Sequence, residues 1–341
     1  MSTVPRWVLV VVGVVILVAA LDVVVFVTAR SHGEAAVVPR ARTGAVAVID
    51  PRSGYVMTRI EVGREPTAVA AGFGGVWVLN KAEGTVTHID ARNAHVVSTL
   101  VPDATANALT LGAGGIWFAG HARSRASAPL EAALLERIDP ATGVVDRRFE
   151  THTGASVVAA GRGAVWSTGY LGGHVRGAAR SDAATGALRR LDIGIYGDLV
   201  TADDAAVYYV ASIANRVASV STRTGLLTGS LNLISDASLA AGHIPGSATG
   251  VVLGAGSVWI SKSDGTVLRV PRDLDRITAD IKACANALAV AYGESAVWVA
   301  CGDETVVRVD PATNRASKVA SVGRLPRGIA AGEGGVWVTL N

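Results

Sequence analysis

From residue 44 to residue 341 the apolar positions fall in short runs, not in the long stripes of amphipathic helices. One run alternates with polar residues, setting Val56, Thr58, Ile60 and Val62 at every second position. A second is a small apolar run such as GIAA at 328–331, a third is a Val-Trp-Val run after paired small residues, and a fourth reads TVTHID at 85–90 or VVRVD at 306–310. The order recurs, so the pattern predicts four antiparallel strands in each unit of roughly 40 residues.

Two phrases keep the units in phase. Gly, a few small or polar residues, then an apolar residue and Trp recurs as GFGGVW, GAGGIW, GRGAVW, GAGSVW, GESAVW and GEGGVW, placing Trp77, Trp117, Trp166, Trp259, Trp298 and Trp337 at equivalent positions. Tyr208, in DDAAVYYV, fills the one gap. The other phrase closes a strand and opens a turn: VIDPRSG at 48–54, HIDARN, RIDPATG at 137–143, SDAATG, VSTRTG, VPRDLD and VDPATN at 309–314. Seven occurrences of each predict an all-β, seven-bladed β-propeller. Each Trp then packs one blade on the next. The recurrent Asp50, Asp90, Asp139, Asp182 and Asp310 are read as turn formers that bond their own backbone. The repeat begins at residue 44 with the last two strands of a unit and stops at Asn341 after the first two. Residues 324–341 and 44–62 are therefore expected to pair as a composite closing blade that leaves no open edge.

The run VVRVDPATNRASKVASVGRLPRGIAAGEGGVWVTLN at 306–341 resembles the YVTN-type β-propeller repeat, and the Gly-x-x-Gly-x-Trp turn is similar to the repeats of streptogramin (virginiamycin B) lyase. The resemblance covers about residues 44–341. It implies the propeller fold and leaves activity open, because such folds host many functions. In the lyase the aromatic strand continues Trp-Phe-Thr-Glu, whereas the seven runs here are WVLN, WFAG, WSTG, YYVA, WISK, WVAC and WVTL, without an acidic residue.

Spacing between the anchors locates the departures from the repeat. From the turn residue to the next Trp or Tyr the intervals are 27, 27, 27, 26, 38, 27 and 27, and from aromatic to turn residue they are 13, 22, 16, 13, 12 and 12. Extra residues therefore lie at about 120–133, 169–174 and 232–247. Strands alternate in direction, so all three fall in connections that open on one face, as expected if that face is elaborated for binding. Its candidate ligand-binding residues are His121, Arg123, Arg125, Glu131, Tyr170, His174, Asp236 and His243, types suited to recognising a protein, a glycan or a small molecule.

The N-terminal segment stands apart. After a tail at 1–6, Trp7 to Thr28 is an apolar run whose one charge is Asp22, long enough for a transmembrane helix or signal anchor, and residues 29–43 read as a stalk before the propeller at 44–341. A cleaved secretory signal ending near Val27-Thr28-Ala29 is the alternative, giving a secreted protein. We expect a single-pass membrane protein with the propeller outside the cytoplasm. The flanking charges point the other way, since Arg6 precedes the run and Arg30, Arg40 and Arg42 follow it.

Composition narrows the function classes. Charged residues are 17 % of the chain, and 31 basic against 28 acidic residues give a net charge of +3. Between 118 and 192 ten Arg stand against seven Asp and Glu, too thin a surplus for a nucleic-acid stripe. The Gly-rich phrases lead into strands, where a phosphate loop needs a helix N-terminus. No His-x-x-x-His, Cys-x-x-Cys or Asp-x-Asp-x-Asp spacing occurs, so no cofactor, no metal and no catalytic residue is assigned. The only two cysteines, Cys284 and Cys301, fall near the open end of one predicted hairpin, and a disulfide between them is expected. A binding, sensor or scaffold module is the leading reading, with a streptogramin-lyase-like C–O lyase and a periplasmic-type nucleic-acid-binding propeller as alternatives.

Overall fold

The computed structural model describes residues 43–122, 133–151, 153–171, 175–194, 197–234 and 246–341. The segments expected to form the tail, the apolar span at 7–28 and nearly all of the stalk lie outside them, and among the described residues no helix is long and apolar enough to cross a membrane.

The described strands form seven four-stranded antiparallel sheets. We letter the strands of a blade A to D from the inside out. In blade 1 they are Pro66–Gly72, Gly75–Asn80, Thr85–Asp90 and His95–Leu100. Blade 2 runs from Ala104–Gly112 to Val145–Thr151, blade 3 from Thr153–Gly161 to Leu188–Leu191, and blade 4 from Leu199–Ala202 to Leu227–Asn232. Blade 5 runs from Ala248–Gly254 to Ala279–Lys282, and blade 6 from Ala287–Gly293 to Arg315–Ser321. Blade 7 is composite: Pro326–Gly332 and Gly335–Leu340 come from one end of the repeat, Gly44–Ile49 and Val56–Val62 from the other. Its two halves join in antiparallel register, Ala45 opposite Leu340 and Ile49 opposite Val336. The A strands are neighbours around the whole ring, so every blade is flanked on both sides.

Each seam between blades is an apolar cluster containing one repeat aromatic. Trp77 packs with Ile116 and Phe118 of the next blade, Trp166 with Val207 and Tyr209, and Trp298 with Val336 and Val338. Burying an indole removes about 150–250 Å² from water, roughly 4–6 kcal/mol of transfer free energy before entropy is counted. Burial also forces the indole N–H to find a partner. Trp117, Trp166, Trp259, Trp298 and Trp337 each donate to the carbonyl of the Gly five residues earlier, at 2.9–3.3 Å. Trp77 departs from the pattern: its Nε1 has no partner, and His88 stacks on the ring at 3.9 Å.

The aspartates behave as turn formers. Asp139 accepts from Ala141 N and Thr142 N, Asp182 from Ala184 N and Thr185 N, and Asp310 from Ala312 N and Thr313 N. Asp50 and Asp90 accept from the N–H two residues on.

Candidate functional site

A-to-B and C-to-D reversals open on one face of the ring, here the turn face, and B-to-C and D-to-A links open on the other, the connection face. On the connection face the B strands of blades 1, 4, 5, 6 and 7 are 6 residues long, whereas those of blades 2 and 3, Gly115–Ala122 and Ala164–Leu171, are 8. The A strands beside them, Ala104–Gly112 and Thr153–Gly161, are 9 residues long against 7 in blades 1, 5, 6 and 7. Two further residues lengthen a strand by about 7 Å. Blades 2 and 3 are neighbours, so their hairpins form one raised sector of the rim. The insertions at 123–132 and 172–174 continue from these hairpins. The third, after Asn232, leads from blade 4 to blade 5. All three thus belong to consecutive sectors.

Of the residues singled out in the sequence, His121 is exposed in the last turn of pairing of the blade 2 hairpin, opposite Thr105, whose Oγ1 donates to the His121 carbonyl at 3.0 Å. Tyr170 occupies the matching end of the blade 3 hairpin, paired with Gly154 and Arg176. Arg123, Arg125, Glu131, His174, Asp236 and His243 lie outside the described residues. Among the described residues no group of three or more His, Cys, Asp or Glu is placed to hold a metal ion.

Three groups that sequence reasoning missed support this face. Glu136 on the C strand of blade 2 is fully buried, accepting from Ala104 N at 3.0 Å and from Arg148 Nε at 2.7 Å, and Arg148 also reaches Asp103 at 2.6 Å. The bond to Glu136 holds the Arg148 guanidinium still more firmly protonated. These contacts pin the base of the raised hairpin. Asp198 accepts from Ser212 N at 2.7 Å, tying the link between blades 3 and 4 to the B-to-C turn of blade 4. Lys262 ends the B strand of blade 5 and is 3 % exposed. Burial pushes its ammonium below the usual lysine range, against the opposing pull of Asp264 and Asp280. Asp264 in turn receives Gly246 N at 2.7 Å, where the chain re-enters from the third insertion. The one available sequence signal was the Lys in WISK, the only charged residue at that place in the seven runs.

Cys284 and Cys301 form a disulfide on the same face, with Cα atoms 6.3 Å apart. It joins the link before blade 6 to the end of that blade's B strand.

No family model matches the sequence, and no curated protein matches it. Among solved structures the chain is similar to the β-propeller domain of Cps50 (Swd1) from Myceliophteria thermophila, with a TM-score of 0.63 and 11 % identity, over 84 % of this chain and 99 % of that one. At that identity the likeness establishes a β-propeller and nothing about activity.

Proposed function

We propose that this chain is a binding module, tethered to the membrane by residues 7–28, whose propeller lies outside the cytoplasm and recognises a protein, glycan or small molecule through the connection face. The observation that carries the reading is that the three departures in length fall in consecutive sectors of one face, over blade bodies of nearly constant spacing. A scaffold that varies only where its loops converge is a recognition surface on a rigid support. The resemblance to YVTN-type repeats fits such a use, since a propeller presents loops from several blades around one mouth. The disulfide supports an oxidising compartment, and the apolar run at 7–28 supports the tether.

Binding is tested by thermal shift on the full chain in nonionic detergent, against divalent metal ions, cell-wall glycan fragments and streptogramins. A variant with residues 123–132 and 235–245 each replaced by a short turn is run beside it. A true ligand raises the melting point of the wild type by mass action and leaves the variant unmoved. A ligand that stabilises both equally binds elsewhere. Protease added to intact spheroplasts should remove the propeller; protection until lysis would contradict the external placement.

A further inference from the structure

On the turn face, four consecutive junctions are closed in the same way. A side chain of one blade donates to a backbone carbonyl in the C-to-D turn of the next. Arg147 of blade 2 reaches Ala183 O and Ala184 O at 3.1 and 2.8 Å, and Arg189 of blade 3 reaches Thr224 O at 2.6 Å. Tyr208 of blade 4 reaches Arg272 O at 2.9 Å. Arg269 of blade 5 lies over Trp259, with its Nη1 2.7 Å from Pro311 O and 3.0 Å from Asn314 Oδ1 and its Nε 3.0 Å from Ser257 Oγ.

Arg308 repeats Arg269 one blade on, since each pairs across the sheet with its blade's Trp, Trp298 and Trp259. The two side-chain acceptors of Arg269 have no counterpart here, although Pro51 stands where blade 6 has Pro311. Ala296 stands where blade 5 has Ser257, and Gly54 of blade 7 stands where blade 6 has Asn314. Among the described residues the Arg308 guanidinium has no hydrogen-bond or ion-pair partner. Gly54, at φ 76°, is packed so closely on Val319 that any side chain there would collide with it. The result is a cleft of about 650 Å³ between blades 6 and 7, lined by Arg52, Ser53, Ser295, Arg308, Ser317 and Lys318 among others.

The charges around this cleft are unbalanced. Arg52, in the turn of blade 7, stands where blade 6 has Ala312, and neither its guanidinium nor the Lys318 ammonium has a described ion-pair partner. One carboxylate, Glu294, also lines the cleft, with its Oε1 bonded to Gly334 N at 3.1 Å. Among the charged residues that line the cleft three are cations and one is a carboxylate; a second carboxylate, Asp50, stands outside the lining, bonded to its own turn and attracted by Arg52. The A-to-B turn at the cleft is also unusual. Ser295 has φ 59° at a position where Gly74, Gly114, Gly163, Gly256 and Gly334 stand in five other blades. A left-handed L-residue is strained where glycine is not, and here the strained residue carries a hydroxyl.

We infer that this cleft is an oxyanion-binding site, taking a ligand with phosphate or carboxylate groups on Arg308, Arg52 and Lys318. Guanidinium forks match the geometry of both groups, and the serine hydroxyls add donors. The volume suits a small molecule with more than one anionic group better than a single ion. The site lies on the face opposite the one assigned to recognition above, so it stands or falls separately.

The test is isothermal titration of the full chain in nonionic detergent with inorganic pyrophosphate and, separately, with citrate, at an ionic strength of about 0.15 M so that diffuse attraction is screened. At least one probe should bind at a single saturable site. Arg308→Gln and Arg52→Gln should each weaken it about tenfold or more, and Lys318→Gln about threefold, because each removes a charge-assisted bond. Arg269→Gln, whose guanidinium is already bonded to protein, should leave the affinity unchanged. Pyrophosphate binding alone makes the ligand a phosphate, citrate binding alone a carboxylate, and each supports the site. No saturable heat with either probe, or equal affinity in Arg308→Gln, overturns it. An unchanged melting point in Arg308→Gln shows that the loss is not unfolding.

Discussion

On the turn face, five aspartates bond the backbone of their own turns, and neighbouring A-to-B turns are linked by Gly74 N–H to Glu333, Gly334 N–H to Glu294 and Arg162 N–H to Asp204. On the connection face the links range from the single residue between Thr151 and Thr153 to the fifteen between Asn232 and Ala248. Blades 5 and 6 share an Asp–Thr bond in their B-to-C turns, whereas the bonds of Glu136 and Asp198 occur once each among the described residues. One face repeats a small set of local bonds in most of its blades. The other varies, because a loop between strands already held by their blade can change length at little entropic cost. Stability is thus expected to reside mainly in blade seams and turns, with recognition on the connections.

The largest effect should come from a seam. Trp298→Ala removes a fully buried indole and its bond to Gly293, and should lower stability by about 3–5 kcal/mol, read from denaturant unfolding. The disulfide sharpens the comparison, because it is a stabilising element on the variable face. Its 17-residue separation predicts a loss of up to about 3 kcal/mol in Cys284→Ser/Cys301→Ser. Arg269→Gln, losing bonds to the next blade's turn, should follow at about 1–3 kcal/mol.

Much of this arrangement was legible in the chain. Trp spacing announced the blades, the half-units at 44–62 and 324–341 announced the composite closure, and the turn aspartates were read from a local pattern. Bonds within two or three residues are fixed by sequence order, which is why such signals work. Contacts across a sheet and between blades were hidden. Arg269, Arg180 and His88 sit opposite the repeat aromatics, yet in the sequence each is one polar residue in an alternating strand. The Glu333 and Glu294 links join turns 259 and 40 residues apart. The cleft at Arg308 is harder still to foresee, since it depends on two side-chain acceptors that the junction between blades 5 and 6 has and this one lacks. The insertions were visible by length, but their grouping in adjacent sectors required the ring.

A pH titration follows the turn bonds directly. The Asp139 carboxyl is held below its ordinary value of 3.8 by the N–H groups of Thr142 and Ala141, and Asp182 likewise by Thr185 and Ala184. A lowered folded value means that the stabilisation is fully present above the unfolded value and fades as pH falls through the folded one. The difference in melting point between wild type and Asp139→Asn should therefore be full at neutral pH and close below pH 3.8. The smallest effect is expected on the variable face, where His121→Ala should change stability by less than about 0.5 kcal/mol.

The division between a conserving face and a recognising one is tested most directly by site-specific photocrosslinking in cells. A photoreactive residue is placed at His121 on the raised sector, or at Phe73, which is 50 % exposed in a turn on the opposite face. The account predicts a discrete adduct from position 121 and none from position 73. An adduct from position 73 with none from position 121 would reverse the faces and leave the three insertions without a role in recognition.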